Sequence, residues 1–66
     1  METLEDKIAL AHWHVEEGRR IVEQQRKLIA EKHGGPDALD LLRTFERSLA
    51  IFEGDLERLI QERERK

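Results

Sequence analysis

The chain has 66 residues, of which 41% are charged and 5% aromatic, with a formal net charge of -3 and no cysteine. This length allows one small domain at most, and the lack of cysteine excludes disulfides, thiolate metal sites and cysteine nucleophiles. The near balance of 12 basic and 15 acidic residues is not typical of a nucleic-acid-binding domain.

The first half of the chain predicts one long amphipathic helix over about residues 3–33. Thr3 is a suitable N-cap, and Glu5 and Asp6 place negative charge in the first turn, where it suits the helix dipole. Small or apolar residues and one glutamine then recur at alternating spacings of four and three: Leu4, Ile8, Ala11, Val15, Gly18, Val22, Gln25 and Ile29. This heptad seam is expected to pack against a second helix.

The helix-breaking residues cluster between positions 33 and 37, close to the middle of the chain. A glycine in the left-handed conformation at Gly34 can end the first helix, and Pro36 can occupy the first position of the next, where its missing N–H costs nothing. The chain is therefore expected to turn back here. The sequence allows two arrangements, a hairpin closed within one chain and a hairpin swapped between two chains. The glycine pair favours the closed hairpin.

The second half predicts a helix over about residues 36–63. Its seam has the same spacing of four and three: Ala38, Leu42, Phe45, Leu49, Phe52, Leu56 and Leu59. Folding the two helices about the glycine pair places Phe52 opposite Gly18 and Leu42 near Ile29. We therefore expect the Phe52 ring to fill the notch that Gly18 leaves in the first helix.

The predicted fold class is all-α: an antiparallel two-helix hairpin that dimerises into a four-helix bundle. Two helices cannot enclose a core on every side, and the hydrophobic gain of a lone hairpin roughly balances its loss of chain entropy. A two-fold dimer is the commonest solution, with a tetramer left open. Ile21 and Leu28 widen the seam of the first helix towards the turn. Candidate interface residues are five apolar side chains outside both seams: Leu10, Trp13, Leu41, Ile51 and Ile60.

One short segment carries the densest group of potential metal ligands. His12 and Glu16 are one helical turn apart, as are His14 and Glu17, so each pair offers two ligands to a divalent ion such as zinc. A divalent-metal-binding helical bundle is therefore the alternative function. The chain lacks the Glu-x-x-His pattern of carboxylate-bridged di-iron bundles. No nucleophile site is evident, and we expect neither an enzyme nor a cofactor.

A small basic zone lies in the first helix, and its residues are Arg19, Arg20, Arg26 and Lys27, with Lys32 further along. Acidic residues interrupt this zone and no aromatic side chains interleave with it, so we do not expect a nucleic-acid partner. The acidic start lacks the features of a signal peptide, and no apolar run is long enough to span a membrane. We expect a cytoplasmic protein with no membrane partner.

Residues 14–21 (HVEEGRRI), Gln25, Ala38 and residues 41–46 (LLRTFE) carry a resemblance to known sequences. Over residues 12–59 the chain resembles a group of short, uncharacterised helical-hairpin proteins, mostly alphaproteobacterial. The resemblance implies a helical hairpin and a bacterial, cytoplasmic origin, and it implies no activity or cofactor. The predicted function is a self-associating helical module that is not an enzyme and presents a surface to a protein partner, whose identity stays open.

Overall fold

The computed structural model describes residues 2–31 and 35–65, which form two α-helices, α1 (Leu4–Ala30) and α2 (Pro36–Glu64). The helices pack side by side as an antiparallel hairpin whose backbone measures 49 by 17 by 15 Å. The all-α class and the hairpin are thus confirmed. Over the residues described, neither helix is long and apolar enough to cross a membrane.

A capping box opens α1. The Thr3 amide donates a hydrogen bond to Asp6 Oδ2, and the Asp6 amide donates one to Thr3 Oγ1, both at 3.1 Å. These bonds satisfy two of the amides that a helix start leaves without intrahelical partners, and they confirm Thr3 as the N-cap. At its other end α1 stops at Ala30, with Glu31 as the C-cap, before the predicted end at residue 33.

The second helix begins where the sequence predicts. Pro36 occupies its first turn, Gly35 is its N-cap in extended backbone, and the Ala38 amide donates to the Gly35 carbonyl oxygen at 3.0 Å. Because proline has no amide hydrogen to satisfy, this start leaves one orphan donor fewer. The predicted left-handed cap at Gly34 lies outside the described residues.

The buried core comes from α1 alone within the described part of the chain. Its buried residues are Ile8, Ala11, Val15, Val22 and Gln25. The seam residues of α2 are only half-buried, and none of the described residues of that helix is buried. A single hairpin therefore leaves the apolar seam of α2 partly in contact with water.

The pairing of the two helices differs from the predicted register. Gly18 faces Leu49, whose Cδ1 would lie 3.1 Å from a Cβ built at Gly18. Phe52 instead stacks on His14, with ring centroids 5.1 Å apart. The prediction that Phe52 fills the Gly18 notch was wrong by about one helical turn. α1 ends at Ala30 and not at residue 33, which is consistent with Gly18 meeting Leu49, an earlier residue of α2 than predicted.

Gln25 joins the two helices close to the turn. Its Nε2 donates a hydrogen bond of 2.9 Å to the carbonyl oxygen of Ala38, and the side chain is buried. Among the described residues, no buried side-chain nitrogen or oxygen lacks a partner. Since a buried amide must find a partner, this bond favours the observed register over a shifted one.

Candidate functional site

The two long sides of the hairpin differ in chemistry. On one side, Arg19 Nη2 donates to Glu53 Oε2 at 3.2 Å, and Arg26 Nη2 donates to Glu46 Oε2 at 2.6 Å. Both pairs bridge α1 and α2. The two arginines are seven residues apart, as are the two glutamates, and residues seven apart lie on nearly the same side of a helix. The second ion pair therefore lies on the same side of the hairpin as the first, two helical turns away. We call this side the charged flank: Arg19, Arg26, Glu46 and Glu53.

The opposite side is apolar. On α1, His14, Ile21 and Leu28 are spaced by seven and lie about a quarter-turn from the seam. They are on the side of the helix away from the two arginines of the charged flank. On α2, this side presents one exposed leucine and the outer edges of the seam aromatics. We call it the apolar flank: Leu10, His14, Ile21, Leu28, Leu41, Phe45, Phe52 and Leu59. Its ion pairs among the described residues, Arg20 with Glu17 and Arg58 with Asp55, each lie within one helix.

A shallow groove marks the apolar flank at the end of the hairpin away from the turn. Its lining residues are Glu2, Lys7, Leu10, Ala11, His14, Phe52, Asp55, Arg58 and Leu59. His14 is half-buried and stacks on Phe52 with an interplanar angle of 15°. The groove combines an apolar lining with charged side chains of both signs, which suits an apolar side chain of a partner surrounded by polar groups.

Three of the five predicted interface residues can be assigned to a flank. Leu10 and Leu41 belong to the apolar flank, and both are exposed. Ile60 is half-buried and lines a separate groove together with Arg19 and Glu53, so it lies on the charged flank. One hairpin therefore does not unite the predicted residues into a single surface.

Trp13 and Ile51 lie on the outer sides of their helices. Trp13 is nearly opposite the seam of α1 and is 56% exposed. Its ring meets His14 edge-on, with centroids 5.3 Å apart, which brings the indole next to the apolar flank. Ile51 is also exposed. Together with the apolar flank, these residues leave an extended apolar surface open, which indicates an interaction surface.

Sequence reasoning treated Ile21 and Leu28 as a widening of the seam and did not include them in the interface. The structure exposes both, in line with His14 along α1. The sequence does contain a pattern that indicates their exposure, in the positions on either side of the heptad seam. Those positions are charged on one side, at Arg19 and Arg26, and apolar on the other, at Ile21 and Leu28. This asymmetry predicts which side of a hairpin is left for a partner.

The predicted metal ligands do not converge within one hairpin. His12 and Glu16 lie towards the charged flank, whereas His14 lies on the apolar flank, since positions two apart on a helix point about 200° apart. Over the described residues, no three side chains of the metal-binding types come together. Each pair alone offers an ion two protein ligands.

The basic zone of α1 is largely engaged in ion pairs. Arg19, Arg20 and Arg26 each meet a carboxylate of the same hairpin. Lys32 lies outside the described residues. The guanidinium groups therefore carry local partners of opposite charge, which is typical of a solvated helix surface.

No family model matches the chain, and neither a curated protein nor a solved structure has significant similarity to it. The chemistry of the two flanks is therefore the basis on which a function is inferred.

Proposed function

We propose that the protein is a self-associating helical module that is not an enzyme, and that two copies pair through their apolar flanks. The paired hairpins form a four-helix bundle, whose outer helix faces are available to a protein partner. The observation that carries the proposal is the inequality of the flanks. One side of the hairpin is bridged by the Arg19–Glu53 and Arg26–Glu46 pairs, while the other exposes leucine, isoleucine and aromatic side chains.

The accessible surface area supports a second copy as the occupant of the apolar flank. The chain exposes 5454 Å² and has a mass of 7.8 kDa, whereas a compact monomer of that mass exposes about 4,400 Å². The surplus of roughly 1,000 Å² is similar to the ~800 Å² that each partner buries in a standard interface. The hairpin is 49 Å long, so a second copy laid along it can cover an area of this order.

The charges also allow two copies to meet. The net charge is only -3, and the groove at the end of the apolar flank carries Lys7 and Arg58 as well as Glu2 and Asp55. Like charges facing each other across an interface would oppose association, whereas mixed charges let two related copies place opposite signs together. The Arg and Glu side chains of the charged flank already pair with each other and need no partner.

The primary test is the molar mass in solution, measured by sedimentation or light scattering across a dilution series, with helicity followed by circular dichroism. We expect a dimer at high concentration that loses helix as it dissociates, because the core of one hairpin is incomplete. A monomer that stays fully helical at every concentration would contradict the proposal.

A matched pair of substitutions locates the interface. Leu41 is 45% exposed on the apolar flank, and Leu39 is 47% exposed two residues away, towards the charged flank. Leu41→Glu would bury an unpaired carboxylate in the dimer and should weaken association at least about 100-fold. Leu39→Glu should leave the dissociation constant nearly unchanged. Equal weakening by both substitutions would show that the apolar flank is not the interface.

A further inference from the structure

We propose that hairpins also associate side by side, with the outer face of α1 in one copy packed against the outer face of α2 in the next copy. This contact goes beyond the proposed function, because it uses the helix faces away from the seam and not the apolar flank. The partner of each outer face is therefore a further copy of the same chain.

The outer faces carry the two most exposed large apolar side chains among the described residues. Trp13 is 56% exposed on α1, and Ile51 is 60% exposed on α2. Helical spacing places charged residues around both. The outer face of α1 consists of Asp6, Trp13, Glu16, Glu17, Arg20 and Lys27. The outer face of α2 consists of Asp37, Asp40, Arg43, Arg47, Ile51 and Arg58.

The outer face of α1 is acidic around Trp13. Asp6 lies two turns before Trp13, and Glu16 and Glu17 lie about one turn after it. Glu17 is paired with Arg20, whereas Glu16 forms no ion pair with any other described residue. The indole therefore has carboxylates beyond it in both directions along the helix.

The outer face of α2 is basic around Ile51. Arg47 lies one turn before Ile51, and Arg58 lies two turns after it. Arg58 is paired with Asp55, whereas Arg43 and Arg47 form no ion pair with any other described residue. An apolar side chain among basic residues on α2 complements an apolar side chain among acidic residues on α1. This complementarity identifies a second copy as the occupant of each face.

The apolar side chains set a register between the two outer faces. We place Trp13 opposite Ile51 of the neighbour, with the two helices antiparallel. Three opposite positions then carry unlike charges: Asp6 with Arg58, Glu17 with Arg47, and Lys27 with Asp37. Between residues 6 and 27, no charged residue on the outer face of α1 lies opposite a like charge. Because the apolar pair alone fixed the register, the agreement of the charges supports the contact independently.

A simple arrangement of hairpins produces this register. Since α1 and α2 are antiparallel within one hairpin, a neighbour that lies beside it in the same direction presents its α2 antiparallel to α1. Within one hairpin Gly18 faces Leu49, so placing Trp13 opposite Ile51 of the neighbour needs a shift of only about 5 Å along the 49 Å molecule. Each copy has one face of each kind, so the contact is heterologous and can continue from copy to copy. The apolar flank stays available for dimerisation.

This second contact should be weaker than the dimer and sensitive to salt. It has one large apolar side chain from each face, and its charges are exposed, so each ion pair contributes little. The Debye length is about 10 Å at 0.1 M salt and about 3 Å at 1 M. We therefore expect dimers to join at high protein concentration in 0.1 M salt and to separate in 1 M salt.

The test is the molar mass of the full chain at high protein concentration in 0.1 M and 1 M salt, measured by sedimentation. We expect species of at least about twice the mass of the dimer in 0.1 M salt and the dimer alone in 1 M salt. Arg47→Glu replaces an attraction to Glu17 of the neighbour by a repulsion and should weaken the side-by-side association about tenfold. Arg65→Glu makes the same change of net charge beyond the end of the neighbour's α1 and should keep the larger species. Equal weakening by both substitutions would overturn the proposed register.

A mixture of two variants tests whether the contact joins unlike faces. Trp13→Ala alters the outer face of α1 and Ile51→Glu that of α2, so neither variant alone should form the larger species. Mixed in equal amounts, they should regain these species, because each variant keeps the face that the other has lost. Leu39→Glu introduces the same charge on α2 outside the outer face and should associate as the wild type does.

The outcomes separate this inference from the proposed function. A dimer as the largest species at both salt concentrations would overturn the inference, leave the outer faces to a different protein, and leave the proposed function standing. A mixture of Trp13→Ala and Ile51→Glu that stays dimeric would overturn the inference as well. Larger species in 0.1 M salt that dissociate into monomers in 1 M salt would instead support the side-by-side contact and contradict the proposed dimer.

Discussion

Two glycines inside the helices have different surroundings, and this difference predicts different responses to alanine. A Cβ at Gly54 would meet nothing within 4 Å, whereas at Gly18 it would lie 3.1 Å from Leu49 Cδ1. Glycine within a helix costs about 1 kcal/mol relative to alanine, so Gly54→Ala should raise the free energy of unfolding by about 0.5–1 kcal/mol. Gly18→Ala should raise the free energy of unfolding by less, because the Leu49 side chain must move to make room for the new methyl group.

Urea unfolding of both variants at one protein concentration measures this difference. Gly54 lies on the outer side of α2, away from the seam, so its substitution should leave the association state unchanged. Equal stabilisation by the two substitutions would mean that α1 and α2 are not in close contact at Gly18.

Single residues with local roles were the easiest part of the fold to predict. The Thr3 cap and the Pro36 start depend only on neighbours within four residues, and the structure confirms both. The partner of Gly18 depends on where the turn is centred, which is a property of both helices. That prediction failed because α1 ends at Ala30 and brings Leu49 opposite Gly18.

At the scale of the helices, the charged flank predicts weak but measurable coupling between α1 and α2. The side chains of Arg26 and Glu46 are 59% and 41% exposed, and exposed ion pairs contribute about 0.2–1 kcal/mol. A double-mutant cycle with Arg26→Ala and Glu46→Ala should give a coupling energy in this range, falling as salt is added. Because this flank faces water in the proposed dimer, the dissociation constant should change by no more than about threefold. A large loss of association would place the charged flank in the interface.

The helices and their seams were predictable from sequence because the apolar spacing of four and three fixes which side of each helix is buried. The difference between the two flanks was also present in the sequence, at Arg19 and Arg26 against Ile21 and Leu28. The division of the predicted interface residues between two sides of the hairpin could not be predicted from the sequence. It depends on the register and the orientation of both helices together. Ile60, for example, lies beside Arg19 and Glu53 only in the folded hairpin.

At the scale of the whole molecule, the incomplete core of one hairpin would link its stability to the proposed association. Within the described residues the buried core lies in α1, and the seam of α2 stays half-buried. Covering the apolar flank with a second hairpin would bury the outer edges of Phe45 and Phe52. The proposed dimer would therefore supply part of the hydrophobic burial that one chain of this length lacks.

This link predicts a melting temperature that depends on protein concentration. If both chains unfold together with an ordinary enthalpy of about 0.7 kcal/mol per residue, each tenfold dilution should lower the melting temperature by roughly 5 °C. Circular dichroism at 222 nm over three decades of concentration measures the shift. Leu41→Glu should melt at a lower temperature that no longer depends on concentration, and Leu39→Glu should keep the dependence. A concentration-independent melting temperature for the wild type would mean that one hairpin is stable by itself and that its apolar flank does not take part in folding.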